Sequence, residues 1–326
     1  MRSAMNVLAV LGLLLVLHAR PAAAAPDSPD GEPPAPTTVE PSPPPREIPA
    51  RRVSISHLVV ATYNALGAEY QLKPGLQYRL NKSDDLLLHD TFTFAGAFIR
   101  LSPVYATAGP LVEWQPLAII NLRARAEALG YFKSLGVLQS WRSPYDDHSD
   151  TAQSLRNAAG ENYSTYGLHA TVEPTLQAQV GPIAVQNHFS LDYWNMRLHS
   201  GDTVWYDAGP DHAIPGNGFT LLEEASLVYL RGPLTAGLNF RYAAPLFTEA
   251  NFRPGEDPHG LNESNSRLGA IFAYTFFNRG YTPFDQPTVF VLVQWWLHHH
   301  YRTGQDVSGV IPFVAVGFSF QQDFIF

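Results

Sequence analysis

Cysteine is absent from the 326 residues, which excludes a disulfide scaffold, a thiolate zinc site, a thiol nucleophile and a lipid-modified N-terminal Cys. Charge is scarce: Asp, Glu, Lys and Arg make up 15% of the chain, against about 25% in a soluble domain. Basic residues are outnumbered, 21 to 29, for a net charge of −8, so the electrostatic footprint of a nucleic-acid binder is missing. Long apolar runs are missing as well. After Ala25 no stretch reaches the about 18 apolar residues that a membrane-spanning helix needs. What is plentiful is hydrophobic residue content (45%), aromatic residues (12%), Gly (24) and Pro (27), at a mean hydropathy of only −0.10. Apolar side chains are therefore interspersed with uncharged polar ones, as in a chain of many strands and tight turns.

The first residues read as an export signal. Met1-Arg2 gives a positive start, 7–17 an apolar core, and Ala22 to Ala25 the small residues a signal peptidase needs. An apolar core of about eleven residues is too short to cross a hydrocarbon layer of ~30 Å as a helix, so residues 1–24 are expected to be removed. From Pro26 to Ala50, ten of 25 residues are Pro. The stretch 25–55 is expected to be a disordered periplasmic leader, long enough at ~3.1 Å per residue to extend roughly 75 Å and available to a periplasmic partner. Residues 56–66 are ambiguous, with a short helix or plug as one option.

From Gly67 onward the chain counts in twos. In 67–80 one face is Ala68, Tyr70, Leu72, Pro74, Leu76, Tyr78 and Leu80; the other is Gly67, Glu69, Gln71, Lys73, Gly75, Gln77 and Arg79. The same alternation fills 165–180 and 234–246. A helix would scatter such residues around its circumference, whereas a strand sorts them onto two faces. These segments exceed the five or six residues of an ordinary strand, and a strand crosses lipid only inside a closed barrel. Ten strands are expected, with 8–12 as the range: 67–80, 86–101, 111–131, 163–180, 183–198, 219–231, 234–246, 266–281, 287–302 and 310–326. Tight connections at Gly181-Pro182 and Gly232-Pro233 contrast with long ones at 132–162, 199–218 and 247–265; the connection at 81–85 falls on the long-loop side in this count. Aromatics toward segment ends, including Trp114, Trp194, Trp205, Trp295, Tyr78, Tyr166, Tyr229 and Tyr274, are expected to form interfacial girdles.

The last strand ends at Phe326, with Phe324, Phe320 and Phe318 on the same face and Gln322 interrupting them. Here the sequence resembles bacterial outer-membrane β-barrel proteins, whose final strand typically ends in an aromatic residue. The resemblance covers 67–326 and the signal, at the level of class and not of subfamily. It implies an all-β, transmembrane, antiparallel up-and-down barrel in the outer membrane of a Gram-negative-type bacterium, with both termini periplasmic. It also implies contact with outer-membrane lipid and lipopolysaccharide, and handling by the barrel-assembly machinery through Phe318, Phe320, Phe324 and Phe326.

Alternation assigns Glu69, Lys73, Arg79, Glu113, Arg123, Arg125, Glu127, His169, Glu173, His188, Asp192, Arg241, Arg267 and Asp323 to the lumen. Charges of both signs in a narrow lumen neutralise one another; alternatively Arg123, Arg125, Arg241 and Arg267 line a narrow anion-favouring pore. His298, His299 and His300 cannot all share a strand face, so no metal site is assigned, and no cofactor or catalytic residue is either. A row at His188, Ser190 and Asp192 with Asn195 nearby resembles an outer-membrane phospholipase only loosely, and the loop residues Asp146, Asp147, His148, Asp150, Asp207, Asp211 and His212 match ten-stranded omptin proteases only in residue type. The expected function is a narrow pore or transporter for small polar or anionic solutes, with a structural or surface-interaction barrel next and a barrel enzyme last.

Overall fold

The computed structural model describes residues 48–83, 85–136 and 138–325. The signal segment, nearly all of the Pro-rich leader, Asp84 and Phe326 lie outside the described residues. Twelve strands close into one antiparallel barrel: β1 (Arg51–Tyr63), β2 (Gly67–Arg79), β3 (Phe92–Leu101), β4 (Tyr105–Leu117), β5 (Ile120–Tyr131), β7 (Thr165–Val180), β8 (Ile183–Met196), β11 (Asn217–Arg231), β12 (Leu234–Leu246), β13 (Asn265–Thr275), β14 (Asp285–His298) and β15 (Phe313–Ile325). Each strand pairs with the next barrel strand in sequence, and β1 pairs with β15 from Arg52↔Ile325 to Tyr63↔Val314, so no edge is left for lipid to desolvate. Three short strands, β6 (Ser140–Trp141), β9 (Val204–Asp207) and β10 (His212–Pro215), form a separate sheet. An α-helix in the loops, α1 (Asp150–Ala158), is capped by the Ser149 side chain accepting from Ala152 N–H.

The count is twelve where about ten were expected, inside the anticipated range, and two local readings are corrected. Residues 51–63 form a full barrel strand, not a leader end followed by a helix or plug, and the barrel begins at Arg51 instead of Gly67. The expected strand 111–131 is two strands joined at Ala118-Ile119. With β1 in front, the connection between β2 and β3 lies at the end of the barrel that carries the tight turns. Long connections between β5 and β7, β8 and β11, β12 and β13, and β14 and β15 share the other end. Arg51 and Ile325 both lie at the turn end.

Outward positions are apolar and exposed, as along β7, where Leu168, Val172 and Leu176 are each more than half accessible. Tyr78, Trp114, Tyr229 and Tyr274 ring the turn end, and Tyr63, Tyr166, Phe219 and Trp295 ring the loop end. This is the two-girdle pattern of a barrel solvated by acyl chains. Trp194 and Trp205, assigned above to those girdles, are instead buried inside. Two polar interruptions of the outer surface are each internally paired. His57 meets the Tyr70 hydroxyl at 2.8 Å and Gln322 Oε1 at 3.0 Å while stacking on Phe320, and Asn187 Nδ2 donates to Glu223 at 2.9 Å. The outward row of β15 thus retains Phe318, Phe320 and Phe324, and its one polar member, Gln322, is satisfied by β1.

Candidate functional site

The lumen has two unlike walls. Along β2 to β8 the strand register sets charges of opposite sign directly across from one another: Glu113↔Arg123, Arg123↔Glu173 and Glu127↔His169. Such cross-strand partners have Cβ atoms about 5 Å apart, and the side chains complete a continuous ladder. Lys73 Nζ donates to Glu113 at 3.0 Å and Arg123 to the same carboxylate at 2.7 Å. Arg125 donates to Glu173 at 3.2 Å and to Thr171 at 2.8 Å. Arg100 donates to Glu127 at 3.0 Å, and His169 bridges Glu127 (3.2 Å) and Asp192 (3.0 Å) while stacking on Trp194. Glu69 accepts from Gln71 and from the Tyr105 hydroxyl. Paired and hydrogen-bonded, these charges tolerate burial; removing one partner of such a pair costs about 3–5 kcal/mol.

The opposite wall is mixed: Asn239 donates to Glu224 and Ser226, each at 2.8 Å, and accepts from Gln294 at 2.6 Å, beside an apolar belt. Leu58 and Val60 of β1, Val228, Ile271, Phe290, Leu292, Phe313 and Ala315 form one buried apolar cluster along the inner faces of β11 to β15 and β1. Arg241 and Arg267 interrupt it toward the loop end, facing each other across β12 and β13, with Glu224 opposite Arg241.

A cavity of about 210 Å³ occupies the turn half of the lumen. Its lining runs from Ile48, Arg52, Arg79, Asp285 and Asp323 at the mouth to Lys73, Glu113, Arg123, Thr175 and Gln186 deeper in. Above it loop residues pack into the lumen. Tyr105, Leu129, Tyr131, Trp194 and Met196 from the wall pack with Leu138, Trp205 and Ile214 from the loops, and Trp205 meets Tyr131 and Trp194 edge to face at 5.2 and 5.6 Å.

The loops that supply this plug are tied into a cap. Arg302 donates from Nε and Nη2 to Asp211 at 2.8 and 3.0 Å and from both Nη atoms to Asp150 at 2.6 and 3.0 Å, clamping the β9–β10 hairpin to α1. Asp211 also accepts from the Tyr206 hydroxyl, and His299 meets the Asp211 carbonyl. Burial alone would raise the Asp211 carboxyl, but His299 and Arg302 hold it well below the usual carboxylate range. Burial pushes Glu263, 3.7 Å from His300, up to about 7, and pushes His148 down to about 4.

Of the charges expected in the lumen, Glu69, Glu113, Arg125, Glu127, His169, Glu173, His188, Asp192, Arg241, Arg267 and Asp323 are buried, and Lys73, Arg79 and Arg123 are half-buried along the cavity. Of the anion-favouring set of Arg123, Arg125, Arg241 and Arg267, Arg123 and Arg125 are neutralised by glutamates, and Glu224 stands opposite Arg241. Ser190 Oγ donates to Asp192 at 2.9 Å, and His188 Nδ1 pairs with Thr175 at 3.0 Å, so serine and histidine of that row do not join. His298 is exposed, His299 is buried in the cap and His300 is at its rim. Among the described residues no three or more His, Asp or Glu converge as a metal site. Arg100 and the Asp150–Arg302–Asp211 clamp escaped the sequence reading. Arg100 alternates with Phe94 and Phe98, which also point inward, so its strand lacks a polar inner row; the clamp joins residues 91 and 152 positions apart.

No protein-family model matches the chain, and no curated protein matches it. Solved structures that align with it include the KdgM porin, at 8% identity over 82% of this chain and 98% of that one with a TM-score of 0.36. The NanC porin aligns at 9% identity over 83% and 100% with a TM-score of 0.39, and the translocator domain of the autotransporter NalP from Neisseria meningitidis at 11% over 85% and 89% with a TM-score of 0.37. Likeness of this degree bears on neither solute nor mechanism. The class follows from the chain's own geometry: a closed meander of twelve antiparallel strands, apolar and aromatic-girdled outside and polar within, is a β-barrel of the bacterial outer-membrane type.

Proposed function

We propose that the protein is an outer-membrane channel or transporter for small polar solutes, entered from the turn end and closed at the loop end by its own cap. The observation that carries this reading is the cavity reaching from the turn end to mid-height along the charged wall, over a plug made of loop residues. Twelve strands enclose more space than the eight-stranded barrel that side chains fill, and here inserted loops pack into the upper half. The turn end, with both ends of the barrel chain, is assigned to the periplasm. The exposed rims are assigned to lipopolysaccharide, Phe318, Phe320, Phe324 and Phe326 to recognition during assembly, and the Pro-rich leader to a periplasmic partner.

Single-channel recording in planar bilayers tests the reading. Wild-type protein is expected to give small, infrequent openings, and Trp205→Ala, which unseats the plug, longer and larger ones. Silence from both would overturn it. The density of the cap favours one second reading, a barrel that acts through its outer loops, which that silence would support.

A further inference from the structure

A polar pair interrupts the lipid-facing surface of β8 and β11. Asn187 is exposed and Glu223 half-buried on the outer rows of their strands, where Val185, Leu191 and Leu227 are also exposed. Glu223 lies between the girdle residues Phe219 and Tyr229, four positions from one and six from the other, hence about 10 Å inside the loop-end girdle on a tilted strand. At that depth hydrocarbon offers no hydrogen-bond partner. Asn187 Nδ2 donates to Glu223 Oε1 at 2.9 Å, and among the described residues neither side chain has another partner. One amide N–H, the amide oxygen and one carboxyl oxygen are left over. The other polar interruption, at His57, has both ring nitrogens engaged.

Beside the pair the surface is hollowed. An open groove of about 540 Å³ runs over Ala178 and Ala225 between Leu176, Val185, Leu227 and Leu238, and Ala225 stands opposite Asn187 in the strand register. An acyl chain fills such a groove but brings no donor or acceptor to the pair. A second protein surface brings both, and proteins in a bilayer are held together by close contact at small residues and by hydrogen bonds between polar side chains. Donor and acceptor stand side by side, so the pair is complementary to itself. Turned about a two-fold axis, the spare Asn187 N–H of one copy meets the spare Glu223 oxygen of the other, and the reverse contact follows by symmetry. We infer that the outer face of β8 and β11 around Asn187 and Glu223 is the interface of a two-fold symmetric dimer within the membrane, with each groove receiving protruding side chains of the second copy. This goes beyond the channel reading and does not depend on it.

The native chain has no cysteine, so a single introduced thiol reports contact without background. The full chain carrying Leu227→Cys or Val185→Cys, on either side of the pair, is folded into phosphatidylcholine vesicles, treated with a short bismaleimide and run on a denaturing gel. Each is expected to give a band of twice the mass, whereas Val112→Cys, exposed on the outer face of β4, should remain single. Adding Asn187→Leu and Glu223→Leu to Leu227→Cys should lower the linked fraction about tenfold, the worth of two hydrogen bonds made in hydrocarbon. Both changes set apolar side chains against lipid, and heat-modifiable gel mobility verifies that each variant is folded. The inference is overturned by absence of linkage at both positions, by equal linkage through Val112→Cys, or by undiminished linkage in the folded double-leucine variant. A linked dimer that passes no current would sink the channel reading and leave the interface standing.

Discussion

Glu263 sits at the rim of the cap with a carboxyl that prefers its proton. Its folded value of about 7 lies above the ordinary 4.5, a difference worth about 3 kcal/mol. Because the folded state holds the proton more tightly, this stabilisation is complete below about pH 4.5 and is lost as pH rises to about 7. Proteolysis of the 247–264 loop should therefore accelerate between those values, and Glu263→Gln should flatten the profile. Asp211 has the opposite sign: held low by His299 and Arg302, it adds stability above its ordinary value and loses it in acid. Arg302→Met strands two carboxylates, one of them fully buried, and should cost the cap about 3–5 kcal/mol. Hydrogen exchange across β9 and β10 would register that loss, with the barrel strands unchanged.

Among the elements, β1 carries the closure. Deleting 51–63 would expose the ladders of β15 and β2 together, so the shortened chain is expected to lose heat-modifiable mobility entirely; a folded, detergent-resistant product would contradict the seam. This same strand shows why the sequence was only partly legible. β7 and β12 lie where alternation placed them, because their inner faces are polar and their outer faces apolar. In β1 the inner face turns apolar at Leu58 and Val60, which join the apolar belt, while the outer face carries His57, so 58–61 reads as an unbroken apolar run and the period of two fades. β4 and β5 were hidden differently. Their two-residue connection preserves parity, with Leu111 and Glu113 inward before it and Arg123 and Arg125 inward after it, so two strands scan as one. The lumen charges were legible because register alone aims them, but which of them neutralise one another depends on pairings between strands that no single segment reveals.

Taken whole, the molecule is a tube with a charged wall, a wall of mixed polarity and a lid. Trp205 is wholly buried among aromatic rings of the wall, and replacing such a side chain with Ala typically costs about 3–5 kcal/mol. In Trp205→Ala that loss should fall on the lid alone, so loop protease sensitivity should increase while the unboiled band persists on a gel. Loss of both would mean that the lid and the tube fold as one cooperative unit.

The seam between β1 and β15 also sets the order of events when the chain is made. Its paired positions lie between 251 (Tyr63↔Val314) and 273 (Arg52↔Ile325) residues apart in sequence, so the ring is completed by the most distant pairing in the molecule and bears the largest loop-closure penalty. A nascent chain that has produced eleven strands still presents two raw ladders to its surroundings. Synthesis and insertion are thus separated in time, and the polypeptide must be kept soluble as a whole until its final segment arrives.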